Sequence, residues 1–161
     1  MRNTKKIVLS ALLCALVCIV TTFISIPSPF NGNINLGDSV VVLSAVILPP
    51  PFSLIAMGVG SALADLFAGY ATYAPITFAI KALMPLIIWL LVKVFDKITP
   101  KTVALIISAA IAELFMVAGY LLFESILYGF VPSLVNVPLN AIQGAAAVVV
   151  GVLLIKLLKL K

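Results

Sequence analysis

The chain has 161 residues, of which 64% are hydrophobic and 9% are charged, and its mean hydropathy is +1.32. An average soluble domain is about one-quarter charged, so this composition excludes a soluble protein and predicts an integral membrane protein. A membrane-spanning helix needs roughly 20 apolar residues. The chain therefore has room for about six spans, and we expect a single membrane domain over residues 1–161.

Six apolar runs follow one another along the chain, and prolines or glycines separate most of them. The second run holds only 13 to 15 residues and at 1.5 Å per residue is shorter than the hydrocarbon layer. It must be tilted, sheltered by its neighbours or only partly spanning. Residues 27–37, which precede it, are rich in Pro, Asn and Gly and are typical of a loop with several turns. The six runs cover approximately residues 6–26, 36–48, 52–67, 75–95, 101–128 and 132 to the lysine-rich end.

The basic residues predict the orientation of these runs. Nine of the ten lie at the two ends of the chain or around the connection between the fourth and fifth runs. Clusters of Lys and Arg mark cytoplasmic segments, so both termini and this connection are cytoplasmic. Six membrane-spanning helices satisfy these conditions. The nine residues are Arg2, Lys5, Lys6, Lys93, Lys97, Lys101, Lys156, Lys159 and Lys161.

The same topology places three connections on the outer side of the membrane. They are residues 27–37, the connection that carries Tyr70 and Tyr73, and residues 129–132, and none contains Lys or Arg. Their polar and aromatic side chains can hydrogen-bond and stack, so we expect outer loops that cap a ligand pocket. The side chains gathered there are Asn31, Asn33, Asn35, Asp38, Tyr70, Tyr73 and Tyr128.

Polar residues inside the apolar runs form one stripe on each of four helices, because successive residues turn by about 100°. An unpaired polar group in lipid is costly, so these stripes should face one another or a wet cavity. One interpretation is a small-molecule pocket in the outer half of the bundle. The other is that Lys81 pairs with Asp65, Glu113 or Glu124 only to hold the helices together. The stripes are Ser61 and Asp65; Thr77 and Lys81; Glu113, Tyr120 and Glu124; and Asn136, Asn140 and Gln143.

Small residues recur every four positions on two runs, a spacing that lets membrane helices approach closely. On the third run, Ala56, Gly60, Ala64 and Ala68 favour packing within the bundle. On the first run, Ala11 and Ala15 fit either packing within the bundle or the docking of another protein.

Several chemistries lack the residues they need. The sequence contains no histidine, which excludes Ser-His-Asp and Cys-His catalytic sets. Cys14 and Cys18 do not form a CxxC pair, and we expect no metal site and no cofactor. There is no G-x-x-x-x-G-K-[ST] motif for binding ATP. We therefore expect a protein that is not an enzyme, binds no nucleic acid and takes the energy for any transport from other subunits.

Three features together resemble the substrate-binding S components of energy-coupling factor (ECF) vitamin transporters. They are Ala11-x-x-x-Ala15, NLGDSVVVLSAVILPP (residues 35–50) and GSALADLFAGYATYAPITFAIKALM (residues 60–84). The resemblance implies that Ala11 and Ala15 dock on a membrane scaffold (T) subunit driven by two ATPase (A) subunits. It also implies a vitamin pocket near the outer surface, with Asn35, Asp38, Tyr70, Tyr73, Lys81, Glu113 and Asn140 as candidates. The polar stripes add Thr77, Tyr120, Glu124 and Asn136.

The ligand that this resemblance implies is a small ring vitamin. Residues 60–84 look most like S components for pyridoxine, hydroxymethylpyrimidine or riboflavin, and Trp89, the single tryptophan, lies toward the cytoplasmic side. We expect a multi-pass protein of a prokaryotic plasma membrane. Two alternatives stay open: a self-sufficient carrier or channel for small solutes, and a small membrane enzyme that uses Glu113 or Asp65 as acid and base.

Overall fold

The structure is a computed structural model that describes residues 3–27 and 33–160. Arg2, Asn31 and Lys161 lie outside the described residues. The described part of the chain forms seven helices and one pair of short strands. The elements are α1 (Asn3–Phe23), β1 (Ser25–Pro27), β2 (Asn33–Asn35), α2 (Gly37–Ile47), α3 (Pro50–Phe67), α4 (Ala74–Phe95), α5 (Lys101–Tyr128), α6 (Phe130–Ser133) and α7 (Asn136–Leu157).

Proline and glycine account for most of the helix ends. Pro49 precedes α3 and Pro100 precedes α5, because proline cannot continue the previous helix but fits the start of a new one. Gly129 ends α5 with φ of 90°, a conformation that residues with a Cβ rarely adopt. The chain therefore turns sharply between α5 and the single turn of α6.

Five segments are long and apolar enough to cross a membrane, and α2 is a sixth, shorter apolar helix. The predicted all-α membrane protein is confirmed, and the excess of lysine at some helix ends assigns those ends to the cytoplasmic side by the positive-inside rule. The five segments are Asn3–Phe23, Pro50–Phe67, Ala74–Phe95, Lys101–Tyr128 and Phe130–Leu157, of which the last includes both α6 and α7.

Helix α2 lies at the centre of the bundle. It is 11 residues long, or roughly 16 Å, and nine of those residues are buried. It contacts α1, α3, α4 and α7. The hydroxyl groups of Ser44 and Ser53 lie 2.7 Å apart and bond to each other, while a Cβ on Gly151 of α7 would lie only 2.9 Å from the Cβ of Val42. Shelter by its neighbours, one of the three arrangements predicted for this short helix, is observed.

Helix α1 lies at the edge of the bundle and packs mainly on α3. The two helices approach closely at Gly60, where a Cβ would collide with the carbonyl oxygen of Cys14. Ala56 and Ala64 are buried along with Gly60, which confirms packing within the bundle, whereas Ala68 is exposed.

The first outer connection differs from the predicted loop. Ser25–Pro27 and Asn33–Asn35 pair as antiparallel strands, with Ser25 opposite Asn35 and Ile26 opposite Ile34. Helix α1 consequently ends at Phe23 rather than near Ile26, because the residues that follow hydrogen-bond to a strand instead of continuing the helix. The hairpin joins the end of α1 to the start of α2.

Candidate functional site

The centre of the candidate site is a buried cluster formed by Asp38, Lys81 and Gln143. Asp38 is the second residue of α2, Lys81 lies seven residues into α4, and Gln143 lies seven residues into α7. Lys81 Nζ donates to Asp38 Oδ1 at 2.5 Å, and Gln143 Nε2 donates to Asp38 Oδ2 at 2.6 Å. Their exposed fractions are 1%, 4% and 3%. A carboxylate in the first turn is further stabilised by the positive end of the helix dipole.

The partner of Lys81 differs from those expected. One of the two interpretations of the sequence pairs this lysine with Asp65, Glu113 or Glu124, whereas its ion pair is with Asp38. Asp38 was also placed among the outer-loop residues, although it is 1% exposed. Both errors have one cause, because α2 begins within the bundle and carries its first turn to the level of Lys81.

Gln143 connects the cluster to the outer hairpin. Its Oε1 accepts a hydrogen bond of 2.9 Å from the backbone N–H of Asn35. The side chain of Asn35 in turn accepts from the backbone N–H of Gly37 at 3.0 Å. The sequence placed Gln143 on the polar stripe of α7 but not among the candidate site residues, so this is a residue that sequence reasoning missed.

An aromatic side chain covers one side of Lys81. The ring centroid of Tyr120 lies 5.5 Å from Lys81 Nζ, within the range of a cation–π contact. The Tyr120 hydroxyl bonds to Thr77 Oγ1 at 3.0 Å. The stripes of α4 and α5 therefore face each other, as predicted.

A second polar group lies at the outer ends of α4 and α5. Tyr73 donates to Glu124 Oε1 over 3.4 Å and makes edge-to-face contacts with the rings of Tyr70 and Phe123, at 6.4 and 5.4 Å. Burial, together with the charge of Glu124, raises the pKa of Tyr73 above its ordinary value. Its phenol is therefore neutral and can act as a donor. Asn136 is buried at the start of α7.

Glu113 combines burial with unused hydrogen-bonding capacity. It is 4% exposed, and neither carboxylate oxygen has a hydrogen-bond partner among the described residues. It lines a cavity of about 410 Å³ between α5 and α7, whose other walls are apolar. Gly144 makes room for it, because a Cβ there would lie 2.8 Å from the Cβ of Glu113. Buried polar atoms are normally paired, so Glu113 has hydrogen-bonding capacity that the described residues do not use.

Three further buried atoms lack a partner in the described part of the chain: Asp65 Oδ2, Glu124 Oε2 and Ser61 Oγ. Together with Glu113 they give the interior unused hydrogen-bonding capacity. Asn140 is half-buried on α7, one turn beyond Asn136. No group of three or more His, Cys, Asp or Glu residues suited to a metal ion occurs within residues 3–27 and 33–160.

The predicted docking residues lie apart from this interior. Ala11 and Ala15 are both exposed on α1. Larger apolar side chains on the same helix, such as Val8, Leu12 and Ile19, are also exposed. This face of α1 contacts either lipid or another protein.

Comparisons with known proteins agree with this architecture. An "uncharacterized protein in gap 3′ region" of Pyrococcus woesei is 31% identical over 137 residues, which cover 84% of this chain and 88% of that protein. A solved S component of a bacterial ECF transporter superposes with a TM-score of 0.80 at 24% identity, covering 98% of this chain and 97% of that one, and shows the same fold. The sequence model of the family described as "ECF-type riboflavin transporter, S component" matches residues 1–160. The chain therefore belongs to the family of ECF-type riboflavin transporter S components.

Proposed function

We propose that this protein captures riboflavin at the outer side of a prokaryotic plasma membrane and passes it to an ECF import complex. The observation that carries the proposal is the buried Asp38–Lys81–Gln143 cluster, directly below the outer hairpin, in a member of the riboflavin S component family. An ionisable pair within membrane-spanning helices is expensive and usually functional.

The chemistry of the site suits a ring with heteroatoms and a hydroxylated side chain. Lys81 has three N–H donors, of which Asp38 uses one, and a ring carbonyl can accept another. Glu113 can accept from a ring N–H or a hydroxyl, because neither of its oxygens has a partner in the described part of the chain. Tyr120 and Tyr73 offer faces and edges for stacking on a planar ring. Riboflavin carries all of these groups.

Pyridoxine and hydroxymethylpyrimidine, which the sequence resemblance favoured, are smaller rings with fewer acceptors. They would use the tyrosines and Lys81 but would present fewer acceptors to the remaining N–H donors of Lys81. The family match favours riboflavin, so the smaller vitamins serve as the competing ligands in the test.

The proposed partners are an ECF membrane scaffold (T) subunit and two ATPase (A) subunits. The exposed face of α1 with Ala11 and Ala15 supports this assignment, since small residues allow close helix approach in lipid. This face is separate from the buried cluster, so capture of the ligand and docking can use different parts of the molecule.

Ligand binding by the isolated protein tests the proposal. Purified protein without bound vitamin is titrated with riboflavin, and quenching of riboflavin fluorescence gives the dissociation constant. Pyridoxine, hydroxymethylpyrimidine and thiamine are then added as competitors. We expect saturable binding of riboflavin with one site per chain and little competition. Displacement of riboflavin by pyridoxine at a concentration below that of the riboflavin itself would reassign the ligand, and no binding of any of them would reject the proposal.

A further inference from the structure

A second cavity, of about 560 Å³, lies at the cytoplasmic end of the bundle. It is bounded by α4, α5, α7 and the last turn of α2, and it shares no residue with the buried polar cluster. Its volume falls within the range of about 300–1,000 Å³ that is typical of small-molecule sites. Nothing in the proposed vitamin capture uses it.

The cavity exists because α2 is short. Ala45 and Val46 in its last turn form part of the lining, while α4 continues to Phe95 and α5 begins at Lys101. The neighbouring helices thus extend past the end of α2 and enclose space beneath it. Leu160 also lines the cavity, because the chain turns back after α7 at Lys159, which has a φ of 52°.

The walls and the mouth of the cavity differ in chemistry. The walls are apolar and include Ile88, Val92, Leu105 and Ile155. The mouth carries Lys93, Lys101, Thr102 and Asp96, so two positive charges face one negative charge. Lys101 and Thr102 are also the first two residues of α5, where the positive end of the helix dipole adds to the field.

Trp89 connects the walls to the mouth. Its ring lies in the lining, and Lys93 Nζ is 3.3 Å from the ring centroid, so a cation–π contact holds the ammonium group at the entrance. Tryptophan and lysine are typical of the level of the lipid headgroups. The mouth of the cavity therefore lies where the phosphates of the cytoplasmic leaflet are.

We propose that this cavity binds an anionic phospholipid of the cytoplasmic leaflet, with its phosphate between Lys93, Lys101 and Thr102 and an acyl chain against the apolar walls. Basic pockets between transmembrane helices on the cytoplasmic side are suited to anionic headgroups. The apolar walls favour a lipid over a free phosphate ion, because the ion would leave them uncovered. A bound lipid would fill the space beneath α2 and support the helix that carries Asp38.

The single tryptophan makes the site directly observable. Trp89 is the only tryptophan in the chain, so quenching of its fluorescence by a phospholipid brominated on its acyl chain reports occupancy. Vitamin-free protein is reconstituted in bilayers with increasing fractions of brominated phosphatidylglycerol or brominated phosphatidylcholine. We expect brominated phosphatidylglycerol to reach half-maximal quenching at a clearly lower lipid fraction than brominated phosphatidylcholine. Equal quenching by the two lipids would overturn the proposal.

Charge variants identify the residues responsible. The fluorescence of each variant is normalised to its own unquenched intensity. In Lys93→Gln/Lys101→Gln, the preference for phosphatidylglycerol should fall by about 30-fold, because each lysine near an anionic surface contributes on the order of fivefold. The matched control Lys97→Gln/Lys156→Gln removes the same charge from the same side of the membrane but from outside the cavity lining, and it should keep the preference. Loss of the preference in both variants would show that the preference depends only on the general surface charge, and it would contradict a specific lipid site in the cavity.

Inorganic phosphate distinguishes the two sources of a phosphate group. At millimolar concentration and constant ionic strength, phosphate should not relieve the quenching by brominated phosphatidylglycerol. Relief by phosphate alone would show a site for a free anion and would overturn the lipid assignment. Because this test uses vitamin-free protein, its outcome is independent of whether riboflavin is the ligand.

Discussion

Helices α1 and α2 are both apolar, but they occupy opposite environments. Three of the 21 residues of α1 are buried, whereas nine of the 11 residues of α2 are. In a bilayer, lipid tails are as apolar as leucine, so hydrophobicity alone does not decide which helix lies inside. Length and position do: α1 can face lipid along its whole span, while α2 is too short to span alone and needs helices around it.

The difference separates two roles. Helix α2 brings Asp38 into the buried cluster, so its substitutions should act on stability and ligand binding. The outward face of α1 lies apart from the cluster, so substitutions on this face should act on partner docking. The following variants test this separation, from the largest expected change in stability to the smallest.

Breaking the ion pair should have the largest effect. Lys81→Met leaves the Asp38 carboxylate buried without its cation, and removal of one partner of a buried pair typically costs about 3–5 kcal/mol. We expect the free energy of unfolding of the ligand-free protein to fall by about this amount, measured by thermal or denaturant unfolding in detergent.

The double variant Asp38→Asn/Lys81→Met is the control for this effect. It removes both charges and should recover most of the lost stability. Strictly additive effects of the two single substitutions would mean that the charges do not stabilise each other. If Asp65→Asn/Lys81→Met recovered the stability instead, Asp65 would be the partner of Lys81, as one interpretation of the sequence suggests.

A smaller effect is expected at the contact between α1 and α3. In Gly60→Ala, the new methyl group would meet the carbonyl oxygen of Cys14 and the side chain of Val17. Overpacking of this kind costs about 1–3 kcal/mol, and the same unfolding measurement should detect it. An unchanged stability would show that α1 can move away from α3 without penalty.

The smallest effect on the isolated protein is expected on the opposite face of α1. Ala11→Leu and Ala15→Leu place bulk on an exposed surface, so stability should change by less than about 0.5 kcal/mol and the affinity for riboflavin should not change. Uptake driven by ATP in vesicles that also contain the T and A subunits should nevertheless be lost. If riboflavin binding falls as far as uptake, this face of α1 belongs to the structure of the bundle rather than to docking.

Most of the fold could be predicted from the sequence because apolar run length and proline position are local signals. The fifth run and α5 have the same bounds, and the third and fourth runs start within two residues of α3 and α4. The outer hairpin was missed, since β1 and β2 have only three residues each and the Pro- and Asn-rich segment favours turns.

The candidate site was predicted less completely. Helical periodicity shows which face of a helix is polar, and the predicted stripes of α4 and α5, which include Thr77 and Tyr120, do face each other. It gives neither the depth at which a short helix starts nor the side chain it meets there. The burial of Asp38, its pairing with Lys81 and the contribution of Gln143 depend on the placement of α2, which only the packed structure determines.

The claim that the cluster binds the vitamin is tested most directly by the riboflavin affinity of Asp38→Asn/Lys81→Met. This variant removes both charges and leaves no buried charge unpaired, so it should fold. Its folded, ligand-free state can be verified by an unfolding measurement on the same preparation. Loss of a charge-assisted hydrogen bond to the ligand costs about 1.5–3 kcal/mol, which corresponds to roughly 10- to 150-fold weaker binding, and we predict a change of this size. Unchanged riboflavin affinity in the folded double variant would contradict the assignment and leave Asp38 and Lys81 with a structural role alone.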